Sequence, residues 1–443
     1  MNTKAIYSSR CWIDNSFKEA IIYFTDVIEK IIIGKPDSFT NILNVGDSII
    51  MPGIIDIHVH VNEPGRTDWE GFDTATQAAA AGGITTIIDM PLNASPVTTT
   101  LQAFNEKLSA SENKLNVNVG FYGGIVPGNF SDIDELIQAG VYGFKAFLTH
   151  SGIDEFPNVA EADLNEVMPV LAKHNIPLLV HCELSDDKHG EELNADPRSY
   201  SAYLKSRPKT WEDEAVKLMI NLCRKHDCAV HIVHVSSSTA LTLIEDAKKE
   251  NLKITAETCP QYLLFNAEDI PNGSTIHKCA PPIREKENNQ QLKNALQTGI
   301  LDLIATDHSP APPSLKEIAS GDFKKAWGGI AGLQFLLSAG YTALNNQLPI
   351  ESFIPLITSR PAKVLNIERK GLIRQGYDAD LTIWNPSEDF IVKESDIFHK
   401  HKISPYVSKE LSGKVHQTYV NGELVFDNGI ITNKNKGKWL LKK

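Results

Sequence analysis

Positive charge is scarce in this sequence: 43 Lys and Arg stand against 55 Asp and Glu, a net charge of −12. Such a surface repels phosphate backbones, which excludes nucleic acid as an expected partner. It also gives no attraction to an anionic membrane. No run approaches the roughly 18 apolar residues of a membrane span. The opening MNTKAIYSSRCWIDNSFKEA has no apolar core of signal-peptide length. The expected location is the cytoplasm. The six cysteines, Cys11, Cys182, Cys223, Cys228, Cys259 and Cys279, contain no C-x-x-C and read as reduced, mostly buried thiols. Low-complexity tracts are absent, and no G-x-G-x-x-G phosphate turn follows a strand-like run.

Hydrophobic residues make up 42% of the chain and charged residues 22%, an ordinary globular balance. At roughly 150 residues per domain the length suggests about three units, of which one large α/β barrel would take two. The first fifty residues alternate short apolar runs with turn signals, and so does the C-terminus. There the Asn421-Gly422 step reads as a hairpin turn. Residues 1–51 and 371–443 are therefore expected to build one small β unit.

Residues 52–370 behave differently. Apolar runs recur as IIDIHVH, ITTIIDMP, VNVGFYGGIV, GVYGFKAFLT, IPLLVHCE, AVHIVHVSS, ITAETCPQYLLF and LDLIATDHS. Helix-like segments such as DTATQAAAAG and TWEDEAVKLMINLCRKHD lie between them. Strands that are apolar on both faces suit a parallel sheet covered by helices. Eight such units predict an α/β fold, a (β/α)8 TIM-type barrel.

Polar residues inside these apolar strands carry the chemistry. Asp56, His58 and His60 are spaced by two, so they share one strand face. Two adjacent imidazoles suit a divalent metal such as Zn, and Asp56 is placed to orient a ligand from behind. Taken alone, H-x-H is short enough that two core histidines bonded to backbone are a serious alternative. Further strands add Lys145, His181, His234 and Asp307 at the same strand end, where this fold collects its active-site groups. His231, at odd spacing from His234, is expected on the opposite face as a packing residue. His189, His226, His277, His399, His401 and His416 sit in polar surroundings and are expected at solvent, while His150 is a candidate for the pocket border. Four histidines, a lysine and an aspartate suggest two metals. An ammonium cannot ligate a cation, but a CO2-derived carbamate on Lys145 offers two oxygens and can bridge two. Such a site generates hydroxide near neutral pH, and Asp307 can carry its proton to a leaving nitrogen.

The stretches PGIIDIHVHVNEPG, GFKAFLTHSG, LLVHCE, HIVHVSS, AETCPQYL and ATDHSP resemble the amidohydrolase superfamily, in its cyclic-amide hydrolase branch. The resemblance implies metal ligation by His58, His60, His181, His234 and Asp307, with Lys145 as the carbamylated bridge. It also implies a small cyclic amide as partner and a homo-oligomeric assembly. Within the branch, HVHVNEPGRTDWEGFDTATQAAAAGGITTIIDMPLNASP resembles the allantoinase family nearly throughout, as do SGIDEFPNV, KCAPPIRE and GDFKKAWGGIAGLQ. That implies hydrolytic opening of allantoin to allantoate. Dihydroorotases of this type carry Arg in H-x-H-L-R; this chain has Asn62 there, which suits a neutral ring. Asn93 is a second candidate amide for substrate binding. Arg66 is read with equal weight as a ligand or an ion-pair member. Gln261 stands where many allantoinases have His, a feature shared with hydantoinases. The alternatives are another cyclic-amide hydrolase (dihydroorotase, hydantoinase or dihydropyrimidinase) and a catalytically silent interaction relative.

Overall fold

A computed structural model describes residues 3–186 and 188–443. Parallel strands form the centre. Ile54–Val59, Ile84–Asp89 and Asn118–Phe121 make a three-stranded sheet. Gly123–Gly124, Phe144–Phe147, Leu178–His181, Val230–Ile232, Ile254–Thr258 and Leu303–Ile304 make a six-stranded one. Only Tyr122 separates Phe121 from Gly123, so those two short runs are one interrupted strand. A parallel bridge from Val59 to His308 joins the first strand to the chain beyond the last. The two sheets thus close into the expected eight-stranded barrel, and every pairing in it is parallel.

Helices such as Phe72–Ala81, Glu161–His174 and Lys209–His226 alternate with these strands. Their apolar faces cover the barrel, so almost every residue of the strands is buried. One expected run divides in two. ITAETCPQYLLF is a strand only to Thr258, and Pro260–Leu264 is helical. Pro260 occupies the first helical turn, where its missing N–H costs nothing.

A nine-stranded sheet carries strands from both chain ends. Ile49–Pro52 is its seam, parallel to Lys4–Ile13 and antiparallel to Leu381–Ile391. Ile6, Ile22, Phe24, Ile50, Leu381 and Ile383 share one apolar core there. Asn421 (φ 50°) and Gly422 (φ 77°) both lie in the left-handed region, as a two-residue hairpin of primed type requires. A Cβ on Gly422 would stand 1.6 Å from the Thr25 carbonyl oxygen, so no other residue fits.

All six cysteines are free and buried. Among the described residues, no helix is long and apolar enough to cross a membrane.

Candidate active site

Strand ends bring the chemistry together. His58 lies in the first barrel strand and His60 just beyond it. Lys145 is in the fourth strand, and His181 closes the fifth. His234 and Asp307 follow the sixth and eighth strands, and both take left-handed φ, 39° and 48°. That region is uncommon for residues with a Cβ, and such strain collects at functional sites. All six side chains are buried.

Asp307 is the focus. Its Oδ1 lies 3.3 Å from Nε2 of both His58 and His60. Ligand atoms of His58, His234 and Asp307 all fall within 4.8 Å of one another. The His234 ring stands 5.4 Å from that of His58 and 4.6 Å from that of His181. Phe147 stacks on His181 at 4.6 Å and also faces the Lys145 ammonium.

The far nitrogens of three imidazoles are fixed by acceptors. His58 Nδ1–H donates to Glu257, His60 Nδ1–H to the Leu92 carbonyl at 2.6 Å, and His181 Nε2–H to Glu183 at 2.7 Å. Each bond sets the tautomer and leaves the other nitrogen's lone pair for the site. Glu183 is in turn gripped by Arg207 through both carboxylate oxygens.

Charge follows from this packing. Burial pushes the His58, His181 and His234 imidazoles below their usual range, so they are neutral donors of lone pairs. Burial pushes Asp307 up, but the His58 and His60 imidazoles outweigh it and hold the carboxyl below its ordinary range. For Lys145, burial dominates over the attraction of Asp307 and Glu257, and the ammonium is pushed down to about 8. His58 Nε2, His234 Nδ1 and Lys145 Nζ are buried with no hydrogen-bond partner. Orphaned buried polar atoms are costly. Neutral imidazoles, a carboxylate and an amine poised for deprotonation, all converging on one point, fit divalent metal ions.

Above this cluster opens a cavity of about 650 Å³. Its wall includes Asn93, His150, His189, Arg207, Lys278 and Trp327.

The amidohydrolase family model matches residues 49–425, from the seam strand through the barrel and back into the nine-stranded sheet. The chain belongs to the amidohydrolase family. Relatives that it matches over most of their length include allantoinases. A probable allantoinase of Oryza sativa subsp. japonica is 42% identical over 90% of this chain and 83% of that one. The allantoinase of Arabidopsis thaliana is 43% identical over 88% and 80%. That of Saccharomyces cerevisiae is 39% identical over 97% and 96%. Among solved structures, an L-hydantoinase (dihydropyrimidinase) from Arthrobacter aurescens superposes with a TM-score of 0.92 at 30% identity, covering 99% of both chains.

Within this amidohydrolase several readings of single residues change. Asn62 is fully buried and outside the cavity wall; its amide donates to the Pro310 carbonyl at 3.3 Å. The wall itself carries cations, Arg207 and Lys278 among them. Asn93 is in the wall. Arg66 is a brace, bonded to the Asn93 carbonyl at 2.8 Å and to Glu155 at 2.7 Å. Gln261 lies outside the wall, with its amide on the Thr306 carbonyl.

Asp56 does not orient an imidazole. It accepts from the His58 and Thr306 backbone N–H groups and the Thr306 hydroxyl, tying the first strand to the eighth. His231 and His234 do not divide between two faces, because the sixth strand stops at Ile232 and His234 turns left-handed. Both residues reach Glu257. His277 and His399 are buried rather than solvent-facing. His399 packs 5.8 Å from the His308 ring, next to the buried Glu70. His189 and His150 border the cavity.

Glu257, Glu183, Arg207 and Trp327 escaped the sequence reading. A charged residue inside the apolar run ITAET was the available signal for Glu257, and the Glu after LLVHC for Glu183. Arg207 and Trp327 lie in irregular segments with no periodicity to mark them.

Proposed function

We propose that this amidohydrolase opens the five-membered ring of allantoin to allantoate. The observation that carries the reading is the convergence of unpartnered His58, His234 and Lys145 atoms on Asp307, at the floor of a cavity, in a chain about 40% identical to allantoinases over most of its length. His58, His60, His181, His234, Asp307 and a carbamylated Lys145 would hold two divalent ions, Zn being well suited to imidazole and carboxylate donors. The carbamate forms when the neutral Lys145 amine adds to CO2 and releases a proton. Bound there, the ions supply Lewis acidity, which acidifies a water and polarises the amide carbonyl.

The chain's own residues do the rest. Water oxygen bonds to the ring carbonyl carbon while Asp307, already ionised, accepts the water proton. The carbon–nitrogen bond then breaks, and Asp307 returns the proton to the leaving nitrogen. The new carboxylic acid keeps the second water proton and releases it to solvent, so the products are a carboxylate, a solvent proton and a free ureido N–H. Asn93 offers its side-chain amide to the substrate from the wall. Glu257 and Glu183 hold their imidazoles in the right tautomer throughout. The enzyme works as a homo-oligomer in the cytoplasm.

Turnover of allantoin, dihydroorotate and hydantoin by metal-loaded protein tests this. Allantoin should have the highest kcat/KM. A preference for hydantoin would assign a hydantoinase activity instead, and a preference for dihydroorotate would overturn the substrate. Metal analysis and mass spectrometry of the intact chain test the two ions and the mass added at Lys145.

A further inference from the structure

Lys316 is buried, 4% exposed, in the segment that follows the eighth barrel strand. Among the described residues no carboxylate lies within ion-pair distance of it. Its ammonium instead donates to three main-chain carbonyls: Gly329 at 2.8 Å, Trp327 at 2.9 Å and Lys278 at 3.1 Å. An ammonium has three N–H donors and no acceptor, so this cage satisfies it completely. Burying a charge without a counter-charge is expensive. Burial, more than the neighbouring Lys278 charge, pushes this ammonium down to about 7. A leucine or methionine would fill the space without that cost, so the three carbonyls need a reason to be gathered.

Their owners supply it. Lys278, Ala326, Trp327 and Gly328 all line the cavity above Asp307. Two separate loops contribute this wall, one after the seventh strand and one after the eighth. Few other bonds join them: Gly329 N–H to the Lys278 carbonyl at 3.0 Å, and the Lys278 ammonium to the Ala326 carbonyl at 2.5 Å. The second loop also presses on the site. A Cβ at Gly329 would stand 2.3 Å from the Ser309 carbonyl oxygen, and the Ser309 hydroxyl donates to Asp307 at 3.1 Å. Trp327 stands in that wall edge-on to Trp69 at 4.8 Å.

We propose that Lys316 is a positioning residue for substrate: by binding the Lys278, Trp327 and Gly329 carbonyls together it fixes the part of the cavity wall made by Lys278 and by Ala326, Trp327 and Gly328, against which the bound cyclic amide rests. This rests on the reading that the cavity receives the ring. Lys316 touches neither the ring nor the metal-ligating cluster. Its loss should therefore weaken binding of ground state and transition state alike, which raises KM and spares kcat.

The test is Lys316→Met in the full chain, loaded with metal. KM for whichever cyclic amide the wild type opens should rise about tenfold or more with kcat nearly unchanged, as for a lost uniform binding interaction. Metal content should stay at the wild-type level. Hydrogen exchange at the Trp327 and Gly329 amides should quicken, because their loop is freed. Lys316→Gln, with two donors for three carbonyls, should shift KM in the same direction by less. If the Met variant does not fold, the Gln variant decides by the same readouts. Unchanged KM and exchange in a folded variant overturn the proposal, as does a fall in kcat at constant KM. If the wild type opens no cyclic amide, the proposed function has failed instead, and exchange alone tests the clamp.

Discussion

Glu257→Gln removes one charge and changes no shape, and its consequence can be worked through atom by atom. The Glu257 carboxylate accepts three N–H groups: His58 Nδ1, His231 Nε2 at 3.0 Å and the His234 backbone at 3.3 Å. Burial pushes Glu257 up, but the His58 and His231 imidazoles outweigh it and hold it ionised. A glutamine keeps one acceptor oxygen and puts two donors where the other stood. Either His231 or His58 then meets a donor with a donor. One buried unsatisfied group costs about 1–3 kcal/mol, so a lower Tm is expected. If His58 adapts by moving its proton to Nε2, it loses the lone pair that faces Asp307. The expected loss of metal affinity is about 10- to 100-fold, as for other partners behind a metal-ligating His. That is about 1.4–2.7 kcal/mol. Chelator competition on wild type and variant measures it directly, with activity regained at high metal concentration as the second signature. A variant with wild-type metal affinity would refute the tautomer argument.

Lys145→Ala should lose at least one metal ion and nearly all activity; full metal content with wild-type turnover would remove Lys145 from the site. Asp307→Asn keeps shape and removes the base, so kcat should fall on the order of 10²–10⁴, and an unchanged kcat would assign the proton transfer elsewhere. His399 and His277 are buried and neutral, pushed chiefly by burial down to about 3 and about 4. The unfolded chain binds protons at these residues below about pH 6.5 while the folded chain does not. Their contribution is therefore complete above about pH 6.5 and is lost as pH falls towards 3, and thermal melts of His399→Phe should show a shallower loss of Tm across that window.

The barrel was legible because its strands are buried on both faces. An apolar run that recurs with helical stretches between is a one-dimensional signal, and it reports a parallel sheet without knowledge of contacts. The six residues at the site were legible for the same reason. His58, His181 or Lys145 inside such a run is conspicuous against its apolar neighbours. Asn421-Gly422 was legible because a primed turn demands two left-handed residues.

Alternation along a strand is reliable only while the strand lasts. His231 and His234 were assigned opposite faces by that rule, but the ladder ends at Ile232 and a left-handed turn re-aims His234. Asn62 sits next to two metal-ligand candidates in sequence, yet the chain leaves the strand after Val59 and buries the amide against Pro310. His399 has polar neighbours in sequence and lies buried beside Glu70 and His308. Composition and periodicity thus determined the fold class and the chemistry of the site, since both depend on which residues recur along the chain. Tertiary structure alone decided the tautomers set by Glu257 and Glu183, the cations of the cavity wall and the Lys316 cage. Each of these joins segments far apart in sequence, and no local pattern records where such a partner will be.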